Sequence, residues 1–162
     1  MAHGDVAIRA VEAGDVGEVV TMLRAVLAEF GLTFGEGSAT DAQVLALPGS
    51  YRDHGGHFWV ARDAGGVLLG TCGVFPVAPG CYELRKMYLD ARARGRGVGA
   101  RLLDVAERWC RAQGGQQLVL DTTHQMTAAI AFYESHGFVR DDAQIRGSRC
   151  HRGYAKALDR AG

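Results

Sequence analysis

No run of apolar residues in this chain approaches the roughly 18 that a membrane-spanning helix needs. Excess charge of either sign is missing too: 18 Lys and Arg face 18 Asp and Glu. Bulk charge therefore supports neither a nucleic-acid nor a membrane-surface partner. Met1 to Asp5 is polar and lacks the apolar core of a secretory signal. Cys72, Cys81, Cys110 and Cys150 are widely spaced, without a CxxC pair. They read as reduced thiols, not as a disulfide framework or a zinc site, and no metal is expected. Internal repeats, low-complexity tracts and linkers are absent. The expectation is one cytoplasmic domain over residues 1–162. What is present is ordinary for such a domain, with 48% hydrophobic and 22% charged residues.

Val6 to Val11 reads as a first strand. Asp15 then caps a helix, with Glu18 completing a capping-box pattern. Val16, Val19, Val20, Leu23, Val26, Leu27 and Phe30 make an apolar stripe at helical spacing, and Gly31 stops it. Leu32 to Gly56 is rich in Gly, Ser and Thr, and reads as an irregular segment with one or two helical turns. Phe58 to Arg62 and Val67 to Phe75 flank a hairpin signal, Asp63-Ala64-Gly65-Gly66. Pro76, Pro79 and Gly80 form the next turn, before a strand from Cys81 to Leu89. A helix over Val98 to Gln113, a strand over Gln117 to Asp121, a helix over Ala128 to His136, and strands at Phe138 to Arg140 and Arg152 to Leu158 complete the chain. Central hairpins followed by crossovers predict an α/β fold of α+β character: a mixed sheet of six to seven strands with helices on both faces.

The stretch Arg94-Gly95-Arg96-Gly97-Val98-Gly99-Ala100 carries the most chemistry. Glycines let a backbone approach a ligand, and free N–H groups at a helix start bind an anion. Arg92, Arg94 and Arg96 sit beside them. This describes a pyrophosphate cradle, although each arginine alone also fits a solvated turn. Gly95-x-Gly97-x-x-Ala100, with Asp121 ending the next strand, also matches a dinucleotide fingerprint. That fingerprint needs a uniformly apolar strand running straight into its glycines. Here the strand carries Glu83, Arg85 and Lys86, and Asp90 to Arg94 intervene. The remaining chain is also too short for the further strand–helix units of that fold.

Glu83-Leu84-Arg85-Lys86-Met87-Tyr88-Leu89-Asp90, followed by Arg94-x-x-Gly97-x-Gly99, resembles the acetyl-CoA motif of the GCN5-related N-acetyltransferase (GNAT) superfamily. Ala129-Ile130-Ala131-Phe132-Tyr133-Glu134-x-x-Gly137-Phe138 resembles its second signature. The resemblance spans the chain in its order of elements. It implies transfer of an acetyl group from acetyl-CoA to an amine, and it leaves a homodimer open. A small-molecule amine is the expected acceptor, since no recognition domain is appended. A protein acceptor and a catalytically inactive acyl-CoA sensor are the alternatives.

The resemblance also implies roles. The backbone from Gly95 through Arg96, Gly97, Val98 and Gly99 to Ala100 would hold the pyrophosphate, with Arg94 and Arg96 pairing with phosphate oxygens. The strand at Met87, Tyr88 and Leu89 would hold the pantetheine arm and supply an N–H to the oxyanion. Glu83 matches a general base; a strand glutamate paired with an arginine is the alternative. An alkyl amine with a pKa near ~10 needs such help, because freeing its lone pair at pH 7 costs about 4 kcal/mol. Tyr133 matches the acid that protonates the leaving thiolate; a core tyrosine is the alternative. Where the family carries asparagine seven residues earlier, this chain has Met126, which leaves Thr123 or Thr127 to cap the helix. His54, His57 and His124 are candidates to line the acceptor site; a surface or structural histidine is the alternative for each.

Overall fold

The computed structural model describes residues 5–35 and 38–159. Its elements are β1 (Ala7–Ala10), α1 (Val16–Glu29), α2 (Asp41–Val44), α3 (Gly49–Arg52), β2 (His57–Arg62), β3 (Leu68–Ala78), β4 (Cys81–Leu89), α4 (Val98–Ala112), β5 (Gln117–Thr122), α5 (Thr127–Ser135), β6 (Val139–Arg140) and β7 (Arg152–Ala157). Seven strands form one sheet in the order β1-β2-β3-β4-β5-β7-β6. Neighbours are antiparallel except β4 and β5, which run parallel. This is the expected mixed sheet. The irregular segment holds two one-turn helices, α2 and α3, as expected; its residues 36–37 lie outside the described residues.

Alternation along β2 divides the core. Phe58 and Val60 pack with Val19, Leu23 and Val26 of α1 on one face. Trp59 and Ala61 pack with Leu102, Leu103 and Ala106 of α4 on the other. Ile130, Tyr133 and Phe138 join the α4 side, so α4 and α5 flank the same face.

Two local expectations are corrected. Asp15 does not form a box with Glu18. Its carboxylate accepts the Glu12 N–H at 2.8 Å, and Arg9 and Arg62 each donate to it at 2.7 Å. Two guanidiniums and a backbone donor outcompete capping of the next turn, and Glu18 pairs with Arg62 instead. Pro76 lies inside β3, opposite Tyr82, so the turn is confined to Pro79 and Gly80.

The decisive irregularity is in β4. Only Cys81–Glu83 pair with β5, against Gln117–Val119. Beyond Glu83 the two parallel strands part. On the other edge β4 stays paired with β3, but the register shifts between Thr71 and Gly73, and Lys86 adopts φ +53°. This is a β-bulge, with an extra residue on β4. The Thr71 hydroxyl donates to the Lys86 carbonyl at 2.7 Å and so satisfies a group the ladder no longer serves.

Candidate active site

The free edge of β4 carries the site. The Asp90 N–H bonds the Leu69 carbonyl on β3 at 2.9 Å. Strand alternation then turns the N–H groups of Leu89 and Met87 toward the edge that β5 has left. Against this edge lies a groove of about 260 Å³, walled by Met87, Leu89, Phe132 and Met126, with Gly99 in its floor. An added Cβ at Gly99 would stand 3.4–3.6 Å from Leu89, Phe132 and Met87, so the groove is narrow there.

The groove ends at the start of α4. Gly97 caps that helix at φ +77°, a left-handed conformation that glycine adopts without steric cost. Arg101 makes the first helical bond, to the Gly97 carbonyl at 3.2 Å. The N–H groups of Val98, Gly99 and Ala100 therefore have no acceptor within the helix, and the helix dipole adds to their positive potential. The three neighbouring arginines are unequal. Arg92 is held by Asp90 at 2.8 Å, and Arg94, in the groove wall, by Glu29 at 2.5 Å. Among the described residues Arg96 makes only a 3.4 Å bond, to the Arg92 carbonyl.

A second cavity, of about 440 Å³, lies on the far side of Tyr133. Met87, Tyr88, Met126 and Tyr133 border both spaces. Tyr133 is 7% exposed, with its ring edge-on to Phe138, and its hydroxyl makes no hydrogen bond among the described residues. Burial raises its phenol well above the usual range, which keeps the proton on oxygen at neutral pH.

The second cavity is walled by charge. Glu83 is 4% exposed; one oxygen accepts from Arg85 at 2.6 Å and the other from Arg146 at 3.3 Å. Both readings of this residue therefore meet at one place: it faces the cavity and it is paired with arginines. Arg85 also donates to the Gln43 side chain at 3.0 Å and lies over the Phe75 ring. Lys86, projected by the bulge, is buried against Asp41 of α2. Burial pulls the Lys86 ammonium below its usual range. Burial opposes ionisation of Asp41 as well, but Lys86, the Gly35 N–H and Arg149 outweigh it and hold the carboxyl below its usual range. Burial pushes Tyr88 up to about 12 and the Cys150 thiol up to about 12, the latter with help from Asp121.

Several expected residues lie elsewhere. His57 stacks on Trp109 of α4, His54 lies on Phe75, and His124 stacks on His151 with ring centroids 4.1 Å apart. None of the three lines either cavity. Aromatic neighbours hold each ring. Neither Thr123 nor Thr127 caps α5: Met126 occupies the cap without a side-chain bond, and the buried Thr123 hydroxyl has no partner among the described residues. Asp121, the ribose-binding acid of the rejected dinucleotide reading, accepts the N–H groups of Arg146 and Gly147 at 2.7 Å each. It anchors the segment before β7.

The charged residues at the second cavity, Lys86, Asp41, Arg146 and Arg149, are not apparent from sequence spacing. One signal was present: Glu83, Arg85 and Lys86 put three charges in a strand that the topology makes central.

Comparison with known proteins agrees with this architecture. Residues 22–138 match the model of the acetyltransferase (GNAT) family. The uncharacterized N-acetyltransferase YjgM of Escherichia coli K12 is 33% identical over 128 residues, 76% of each chain. A GNAT-family acetyltransferase from Staphylococcus aureus Mu50 superposes with a TM-score of 0.88 at 22% identity, over 96% of this chain and all of that one. The PaiA N-acetyltransferase of Thermoplasma acidophilum, solved with coenzyme A, superposes with a TM-score of 0.75 at 21% identity, over 94% and 99%. With the splayed β4, the glycine-capped α4 and the family match in agreement, the chain belongs to the acetyltransferase (GNAT) family.

Proposed function

We propose that the chain transfers an acetyl group from acetyl-CoA to the primary amine of a small molecule by direct attack. The observation that carries this reading is the junction of the two cavities at Tyr133, beneath the free edge of β4. The residues fit acetyl-CoA: unbonded N–H groups at the start of α4 suit the pyrophosphate, and the apolar groove suits the pantetheine arm. A strand edge with open N–H groups suits an extended amide chain. Acetyl-CoA supplies an activated acetyl carbonyl.

The protein's own groups do the rest. The Met87 or Leu89 N–H stabilises negative charge developing on the carbonyl oxygen. Glu83 takes a proton from the amine, directly or through water. Tyr133, neutral and unpartnered, gives its proton to the departing thiolate. Arg94 and Arg96 complement the phosphates. The acceptor cavity, at about 440 Å³, has the size of a small-molecule site.

Release of free thiol from acetyl-CoA across a panel of small amines tests this reading. We expect turnover with at least one small amine, and a rise in melting temperature with coenzyme A but not with NADH. Turnover with peptides alone would move the acceptor to the protein class. A thermal shift with NADH and none with coenzyme A would overturn the reading.

A further inference from the structure

We propose that the acceptor is an amine bearing a carboxylate on the neighbouring carbon, of the α-amino acid class, and that Arg146 receives that carboxylate. This rests on the reading of the second cavity as the acceptor site.

Four cations, Arg85, Lys86, Arg146 and Arg149, stand at the cavity against three carboxylates, Glu83, Asp121 and Asp41. Three of the cations are already committed. Lys86 is buried on Asp41. Arg85 has Glu83, Gln43 and the Phe75 ring. Arg149 pairs with Asp41 and donates to the Thr33 carbonyl. Arg146 differs. Only Nη1 is engaged, with Glu83 at 3.3 Å and with the backbone and side-chain oxygens of Gln144 at 3.2 and 3.3 Å. Charge-assisted bonds to a carboxylate normally measure about 2.7–2.9 Å, so these contacts are loose. Nε and Nη2 have no acceptor among the described residues.

The base of this side chain is nonetheless fixed. The Arg146 N–H is bonded to Asp121 at the end of β5, and the side chain keeps 40% of its surface exposed. A planar guanidinium with two open donors, held at the mouth of a cavity with one surplus positive charge, matches a carboxylate. Its spacing sets the substrate. Arg146 Nη1 stands 3.3 Å from Glu83 Oε2, so a small ligand that engages both residues carries its acid and its amine close together, as an α-amino acid does.

Binding of such a ligand changes Glu83. The incoming carboxylate takes the open Nε and Nη2 donors; the guanidinium turns toward it and off the loose 3.3 Å contact of Nη1 with Glu83 Oε2, which then faces the amine. The ammonium passes one proton through Glu83 to solvent, the freed lone pair forms the C–N bond, Glu83 takes the second proton from nitrogen as the C–S pair leaves with sulfur, and Tyr133 supplies the thiolate proton. Solvent returns the proton from Glu83 to Tyr133. The acceptor thus uncovers the base that activates it.

The test compares matched ligands: amino acids, their methyl esters and their decarboxylated amines, each with wild type, Arg146→Ala and Arg146→Lys. Wild type should favour the acid over its decarboxylated partner by about 100-fold in kcat/KM, the scale of a lost charge-assisted pair. Arg146→Ala should collapse that preference to within a few-fold, chiefly through KM for the acid, and Arg146→Lys should restore part of it. A structural role would lower both ligands by the same factor, and that result overturns the proposal. So does a wild type that acetylates the decarboxylated amines as well as the acids, which leaves the acetyltransferase reading intact. Failure to acetylate any amine, with acetyl-CoA still raising the melting temperature, would remove both readings.

Discussion

The two sides of the cleft are built from different materials. The groove side is backbone and apolar surface: strand N–H groups, a helix start, two glycines, and walls such as Leu89 and Phe132. The other side, the proposed acceptor side, is charge, delivered by segments far apart in the chain: α2, β4 and the loop before β7. On the proposed reading the backbone donors meet acetyl-CoA, and need few particular side chains. On the same reading side chains on irregular segments meet the acceptor, and such side chains can be exchanged without disturbing the sheet.

Substitutions on each side should therefore fail differently. The largest effect is expected from Gly99→Asp. Its carboxylate would enter the groove beside the pyrophosphate site, and acetyl-CoA affinity should fall about 1,000-fold, some 4 kcal/mol. Calorimetric titration measures this, while circular dichroism should still report a folded protein. Unchanged affinity would place the cosubstrate elsewhere and end the comparison.

Asp41→Asn comes next and strikes the other side. It leaves Lys86 buried without its counter-charge, which should cost about 3 kcal/mol of stability. Urea denaturation checks this. The sign with pH follows from Asp41. Its folded pKa lies below the unfolded value, so its contribution is present above about pH 4 and is lost as pH falls through the folded pKa. Wild type should therefore lose more stability than the variant on acidification below about pH 4.

Tyr133→Phe sits where the sides meet. Turnover should fall about 100-fold with acetyl-CoA affinity unchanged, because the hydroxyl acts in the transition state while the ring still packs. Stopped-flow and binding measurements separate the two, and a wild-type turnover would make the hydroxyl structural. Glu83→Gln should be milder, about 10-fold at neutral pH with recovery at alkaline pH, where the amine is neutral unaided. A constant deficit across pH would make Glu83 a binding group. The smallest effect concerns Cys150. With its thiol pushed up to about 12, it should resist iodoacetamide at pH 8 despite partial exposure, as read by mass spectrometry.

The same contrast explains what the sequence could reveal. The groove was legible because its parts are local: strand, glycine loop and helix start lie within Glu83 to Ala100, and each has a backbone signature. The sheet was legible through the hairpin signal at Asp63 to Gly66, and its covering helix through the stripe of α1. The acceptor side was not. Asp41 and Lys86 are 45 positions apart, and Arg146 and Glu83 are 63. No spacing rule joins such pairs; only the bulge at Lys86 and the anchoring of the Arg146 backbone by Asp121 bring them together. The histidines follow their structural alternative. Proximity in sequence to the cleft did not reveal that Trp109, Phe75 and His151 each hold a ring elsewhere.

The parting of β4 from β5 has one more consequence. An unpaired strand edge at the rim of a sheet is a template on which other chains can add, and proteins blunt such edges to remain dispersed. Here the open edge lies in the middle of the sheet, behind Phe132 and Met126, in a slot about 260 Å³ in volume. A slim, flexible amide chain can lie there; a β-strand with side chains on both faces cannot. The slot acts as a sieve, keeping an adhesive surface available to a small ligand while denying it to another polypeptide.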